Sequence, residues 1–329
     1  MISTGVMRNI ALVGISKNSG KTTLLNGILA AHPEQRWAVL STGIDGETED
    51  RVFKTPKPRV RLHPGCIFCC DSAWLDTHKS AVTVLYSKEY AGRALYLARA
   101  ETALETQITG PSSVRQQREI MLLMHRYGAD KVLVDGSLDR KSIALEKSID
   151  MLILAIGASF GTTEQIILEL QRLLILREIP LAELSRYETK RLESSENILF
   201  RLNGRWWDSR MQSLIRKEKE VLKLLERNPQ ALYIPTSLTD AVYERLSGAF
   251  AAKDVRLVIR HPECLKLSLP ILNQLVRDNR LSCLIPFKIK AFALNSTAVG
   301  KEPVAAEQFR QEIRGAFPQE TFYDVMELQ

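Results

Sequence analysis

No run of apolar residues in this chain approaches the about 18 needed to cross a bilayer as a helix. The first apolar stretch, Ile10 to Val13, is too short for the core of a secretory signal, and polar loop residues follow it at once. Only five cysteines occur in 329 residues. Without an export signal they are expected to stay reduced, so apolar burial has to supply the core. Aromatic residues make up 7% of the chain, and there is no low-complexity tract or internal repeat, which removes solenoids and fibrous classes. Neither sign of charge dominates: 45 Lys and Arg stand against 38 Asp and Glu, intermixed along the chain. A solvated surface accounts for that pattern without the one-sided basic cluster of a nucleic-acid footprint. The expectation is a cytoplasmic protein with neither a membrane nor a nucleic acid among its partners.

What is present is an ordinary globular composition, 45% apolar and 25% charged. Short runs rich in Val, Ile and Leu (8–13, 37–41, 131–135, 150–159, 289–297) alternate with amphipathic stretches such as 21–31, 112–127 and 162–176. Apolar runs at helix-length intervals predict an α/β fold, a mostly parallel sheet covered by helices on both faces. In 112–127 the pattern turns Ile120, Leu123, Met124 and Tyr127 inward. The texture becomes charged between about 180 and 228, with "RMQSLIRKEKEVLKLLERN" its clearest element. That reads as a helical insertion within a single domain spanning 1–329, after which the strand rhythm returns at 231–240 and 255–260.

Between the first strand and the first helix lies "GISKNSGKTT" (Gly14–Thr23). A phosphate-binding loop needs small residues that let backbone amides surround a phosphate, a lysine for the β and γ phosphates, and a hydroxyl for Mg²⁺. Gly20, Lys21 and Thr22 supply the invariant end, and the helix that starts there adds the positive end of its dipole. The usual spacing puts the first glycine at position 15, which is Ile15; Gly14 stands one residue early. The expected nucleotide-binding residues are Gly14, Ser16, Lys17, Asn18, Ser19, Gly20, Lys21, Thr22 and Thr23.

Two acids suit a Mg²⁺ ion, which keeps several waters and takes few protein ligands. Asp135 follows "KVLV" and Asp45 follows the strand "WAVLS"; with Thr22 they form the expected metal set. Asp45 also stands with Lys21 as an expected catalytic residue, orienting water or metal, a role implied by its resemblance to the acid that SIMIBI-class P-loop proteins keep at the end of the second strand, while Glu47 is a weaker candidate. Each Asp also suits a turn or helix cap. Asn295, after "KAFAL", is a further expected nucleotide-binding residue, since it resembles the late-sheet Asn that reads the base in some P-loop proteins; a turn suits it nearly as well. "HPGCIFCCD" groups Cys66, Cys69 and Cys70 near His63, but strand alternation sends Cys66 and Cys69 to opposite faces. Buried thiols fit that pattern better than a metal site.

The longer loop spacing resembles that of dethiobiotin synthetase and the cobyrinic-acid amidoligases, members of the SIMIBI class of P-loop proteins. Lys17 sits one position from the signature lysine of the MinD-like members, so that lysine's role is not carried over to it. Further stretches along nearly the whole chain, outside 180–228, are "STGIDGE", "ITGPSS", "KVLVDGSLDRKS", "GASFG", "IPTSLTD" and the terminal "YDV". In their order they resemble the P-loop subunit of the lysine 5,6-aminomutase reactivase; the "CIFCC" stretch is atypical of it. The resemblance implies an ATPase that, with a MutS-like partner subunit, ejects damaged cobalamin from an adenosylcobalamin-dependent aminomutase. ATP and Mg²⁺ would be its cofactors. The alternative is an ATP-dependent ligase of the dethiobiotin synthetase or amidoligase kind. A guanine-reading N-K-x-D is missing from "ALNSTAV", which argues for ATP over GTP.

Overall fold

The computed structural model describes residues 8–16, 18–42, 59–90, 92–137, 143–297 and 305–327. The chain divides into two compact units, one made of 1–167 with 288–329 and the other of 168–287. The single domain expected from sequence is therefore two units, and the interposed one is larger than the stretch from 180 to 228.

The first unit runs β1 (Asn9–Gly14), α1 (Lys21–Ala31), β2 (Trp37–Ser41), β3 (Val60–Leu62), β4 (Ile67–Asp71), α2 (Ser72–His78), β5 (Val82–Tyr90), β6 (Arg93–Ala100) and β7 (Leu104–Thr106). It continues through α3 (Val114–Arg126), β8 (Lys131–Ser137), β9 (Met151–Gly157) and the start of α4 (Thr163–Arg177). A nine-stranded sheet has the order β18-β17-β9-β1-β8-β2-β4-β6-β5, where β17 (Ile289–Asn295) and β18 (Phe322–Asp324) return to it after the second unit, flanking α9 (Ala306–Ala316). Every pairing is parallel except the two made by β6 at one edge. The four runs 9–13, 37–41, 131–135 and 151–156 thus share one mostly parallel sheet, as their rhythm predicts.

Alternation explains how the sheet is covered. Ile10 and Leu12 of β1 join one apolar cluster with Leu24, Leu25, Ile28 and Leu29 of α1. Their neighbours Ala11 and Val13 are equally buried but face the other way. On that side α3 lies against β2 and β8, turning Gln117, Ile120, Met121 and Met124 inward. Met121 and Gln117 take the places expected for Leu123 and Tyr127, which are only half buried. Thr162 caps α4 by accepting from the Gln165 amide at 3.3 Å.

The second unit contains α5 (Arg186–Glu193), β10 (Leu199–Leu202), β11 (Arg205–Asp208), α6 (Glu218–Leu225), β12 (Ala231–Ile234), β13 (Leu238–Thr239), α7 (Asp240–Ala252), β14 (Arg256–Ile259), β15 (Leu265–Lys266), α8 (Leu269–Arg277) and β16 (Leu281–Cys283). Strands β12, β14 and β16 pair in parallel, extended by the antiparallel hairpin β10–β11, and form a sheet separate from that of the first unit. The helical reading of 180–228 is corrected here. Asn203 (φ 49°) and Gly204 (φ 75°) turn the hairpin, a pair that tolerates left-handed backbone and matches strand twist. The long helix expected at 210–228 shrinks to 218–225, because Arg210 and Arg216 adopt φ near 60° and interrupt it.

Among the described residues no helix is long and apolar enough to cross a membrane.

Candidate functional site

Strand β1 lies inside the sheet, and Gly14, its last residue, pairs with Ser137 of β8 and Ala155 of β9. The loop to α1 therefore leaves the carboxyl edge of parallel strands, where open α/β folds bind ligands. One further ladder bond holds its start, the Ile15 amide donating to the Ala155 carbonyl at 3.1 Å. The chain then turns through two left-handed residues, Asn18 (φ 58°) and Gly20 (φ 88°), residue types that adopt this region readily.

Helix α1 starts with its amides uncommitted. Gly20 is the N-cap, no side chain caps the helix, and the first turn holds no acid. The first intrahelical bond runs from the Leu24 amide to the Gly20 carbonyl at 2.9 Å. The amides of Thr22 and Thr23 find no acceptor among the described residues. Orphan donors and an unneutralised dipole face the loop, an arrangement suited to an anion.

Close approach makes the loop compact. A Cβ on Gly14 would run into Ser19 Oγ and stand 2.9 Å from the Ser16 carbonyl oxygen and 3.2 Å from Lys21 Nζ. Lys21 therefore reaches back across the loop towards the end of β1. At Gly20 a Cβ would meet the Asn295 side chain at 2.9 Å, and at Gly157 it would meet the Ser19 Cα at 2.8 Å. Ser19 is 1% exposed, and its Oγ has no hydrogen-bond partner among the described residues. A buried hydroxyl left without a partner costs about 1–3 kcal/mol, so the loop holds a polar group in want of one. Ser16 and Thr22 are half buried beside it.

Asp135 sits on β8 opposite Leu12 of β1 and Ser41 of β2. Leu12 packs under α1, so the register turns Asp135 to the same face, two residues before the pair Gly14–Ser137. Thr22 lies in the first turn of α1, the helix that packs on that face. The end of β2 is tied down from the other side of the site. Gln117 Nε2 donates to the Thr42 carbonyl at 3.0 Å and to the Pro111 carbonyl at 2.7 Å, while the Thr109 carbonyl accepts from the Ser41 amide at 3.4 Å. The "ITGPSS" stretch thus borders the same edge. Lys17, Asp45 and Glu47 lie outside the described residues.

Asn295 ends β17 opposite Gly157. Its Nδ2 donates to the Asn18 carbonyl at 3.1 Å, its Oδ1 accepts from the Thr297 amide at 3.2 Å, and its own carbonyl accepts from the Ala158 amide at 2.9 Å. The sequence offers little signal for this bracing. Gly157, which supports the loop, is legible only as a glycine ending the apolar run "LILAIG", and Gln117 reads as an ordinary polar helix residue.

The cysteines occupy the core. Cys66 and Cys70 face the α1 cluster together with Phe68, whereas Cys69 between them points to the opposite side of β4. Burial pushes the Cys66 and Cys70 thiols up to about 12 and the Cys69 thiol higher still. Cys264 and Cys283 are buried as well. Among the described residues no three His, Cys, Asp or Glu side chains come together in a way that could hold a metal ion.

Compared with family models, curated proteins and solved structures, the chain finds no match.

Proposed function

We propose that this protein binds a Mg²⁺–nucleoside triphosphate at the loop 14–23, hydrolyses it, and serves as the ATPase subunit of a chaperone that drives damaged cobalamin out of an adenosylcobalamin-dependent aminomutase. The observation that carries nucleotide binding is the loop itself. It is a glycine-bounded turn at the carboxyl edge of a parallel sheet, with an uncapped helix start, a lysine folded back across it and a buried, unpartnered Ser19 hydroxyl.

The residues divide the work. Amides of the first turn of α1 and of the loop receive phosphate oxygens, and the Lys21 ammonium meets the charge shared between the β and γ phosphates. In phosphoryl transfer the protein acts through positioning and charge stabilisation, so a rigid loop and a fixed cation are the parts that matter. Thr22 and Asp135 would hold Mg²⁺, which supplies further neutralisation of the phosphates. Asp45 keeps the role its sequence position suggests, orienting water or metal.

The client rests on the ordered resemblance. Several of the stretches behind it border one edge of one sheet: "GISKNSGKTT", "ITGPSS", the "DGS" after β8's apolar run, and "GASFG" from Gly157. ATP is the nucleotide and a MutS-like subunit the partner.

The test uses a cobalamin-inactivated aminomutase, the partner subunit, Mg²⁺–ATP and fresh adenosylcobalamin. Activity should return over time with the wild-type chain and stay absent with Lys21→Ala. ATP hydrolysis with no return of activity would overturn the chaperone role. Formation of a new product from a small carboxylate or amine substrate would establish a ligase instead.

A further inference from the structure

We infer that Asn295 is a positioning residue that sets the phosphate loop, and that it does not read the nucleotide base. The inference rests on the nucleotide reading above and deepens it by naming what fixes the loop.

The side-chain amide of Asn295 is engaged at both ends. Nδ2 donates to the Asn18 carbonyl at 3.1 Å and Oδ1 accepts from the Thr297 amide at 3.2 Å. Its Cβ and Cγ sit 2.9 and 3.2 Å from the point where a Cβ on Gly20 would stand. The rest of β17 gives it a rigid base, because its main-chain carbonyl accepts from the Ala158 amide at 2.9 Å. An asparagine that reads a base presents its amide edge to the ligand. Here that edge faces the protein's own loop.

The bond to Asn18 has a consequence one atom further on. The described peptide bonds are all trans. In a planar trans peptide the carbonyl and the following N–H point in opposite directions. Holding the Asn18 oxygen towards Asn295 and over Gly157, whose added Cβ would stand 3.0 Å from it, therefore turns the Ser19 N–H away from β17, towards the interior of the loop. Asn18 can present its carbonyl this way because it is left-handed, with φ 58°. Asn295 acts through that peptide: it presents a donor to phosphate without touching the ligand.

The two roles separate with a ligand that has no base. Calorimetry compares wild type and Asn295→Asp for Mg²⁺–ATP, Mg²⁺–GTP and Mg²⁺–tripolyphosphate, at a temperature where circular dichroism finds each form folded. The aspartate keeps the size but sets a carboxylate oxygen against the Asn18 carbonyl. All three affinities should fall together by about tenfold, the scale of one hydrogen bond lost and opposed, with the ATP to GTP ratio unchanged. Should Asn295→Asp fail to fold, Asn295→Ser removes the long donor more gently, and the same equal losses are expected. A variant that keeps tripolyphosphate but loses ATP, a shift in the ATP to GTP ratio, or no loss at all would overturn the inference. If wild type binds none of the three, the nucleotide reading falls first and this inference with it; equal binding by wild type and variant would sink only the positioning role.

Discussion

Lys21 Nζ lies 3.2 Å from the position a Cβ on Gly14 would occupy, so the cation at the start of α1 is folded back over the last residue of β1. The six residues from Ile15 to Gly20 form the span between a strand end and a helix start that this lysine bridges. The extra residue relative to the usual spacing is absorbed on the strand side, because Gly14 still belongs to β1 and pairs with both neighbours.

Replacing Lys21 by Ala removes that charge and leaves the packing of Leu24, Leu25, Ile28 and Leu29 intact. The melting temperature should change little. Charge-assisted contacts are worth about 1.5–3 kcal/mol, so Mg²⁺–ATP affinity should drop about ten- to a hundredfold by calorimetry. Turnover should fall further, since charge matters most in the transition state.

Gly14→Ala tests the close approach. The new methyl would have to displace Ser19 Oγ and press on the Ser16 carbonyl. Overpacking of this kind costs about 1–3 kcal/mol, read as a lower midpoint in urea. Nucleotide-induced stabilisation of the melting temperature, expected of wild type by linkage, should be lost. A variant that kept both would show that the loop tolerates a side chain there.

Glu263 in the second unit is 2% exposed and meets Arg172 Nη2 at 3.1 Å and Lys266 Nζ at 2.6 Å. Arg172 also pairs with Glu169 through bonds of 2.9 and 2.8 Å, and the Lys266 side chain is 42% exposed, so Glu263→Ala removes the buried charge and leaves neither cation stranded. Arg172→Met instead leaves the buried Glu263 carboxylate with Lys266 alone and should destabilise by about 3–5 kcal/mol in chemical denaturation, more than Glu263→Ala does. Equal or larger loss in Glu263→Ala would mean that Lys266 alone compensates the carboxylate.

The thiols predict a pH dependence. Burial raises Cys66 and Cys70 to about 12 in the folded chain, while an unfolded cysteine ionises near about 8.5. Raised folded values mean the folded state holds protons that the unfolded state releases. Stability from this source is full below about pH 8.5 and declines as pH rises towards about 12. Urea midpoints at pH 7.5 and 10 should therefore fall, and Cys66→Ala/Cys70→Ala should flatten the slope. At pH 8 an alkylating reagent should label these cysteines slowly until denaturant is added.

The parallel centre of the first unit was legible because β1, β2, β8 and β9 each carry their own apolar run beside a helix-length stretch. Periodicity identifies a strand but says nothing about which sheet it joins. Residues 231–234 and 255–260 look like 131–137, yet they pair with one another in the second unit. The hairpin β10–β11 was readable from Asn203-Gly204 between two strand-like runs; the charged texture around it masked the signal. In the site, the loop and Asp135 follow from local spacing. The bracing does not, since Asn295 and Asn18 are 277 positions apart and nothing local to either predicts the other.

The return of β17 to the sheet sets the order in which the protein can be completed as it is made. Strand β9 is buried along its whole length, flanked by β1 on one side and β17 on the other. Ribosomes add about 5–20 residues per second, so the about 130 residues between β9 and β17 take on the order of ten seconds to emerge. Throughout that interval one edge of Met151–Gly157 has no strand to cover it, an aggregation-prone edge that a chaperone would have to shield. The same delay falls on the loop. Asn295 is the last residue of β17, so a nascent chain holds the lysine and the glycines long before it holds the strut that braces them.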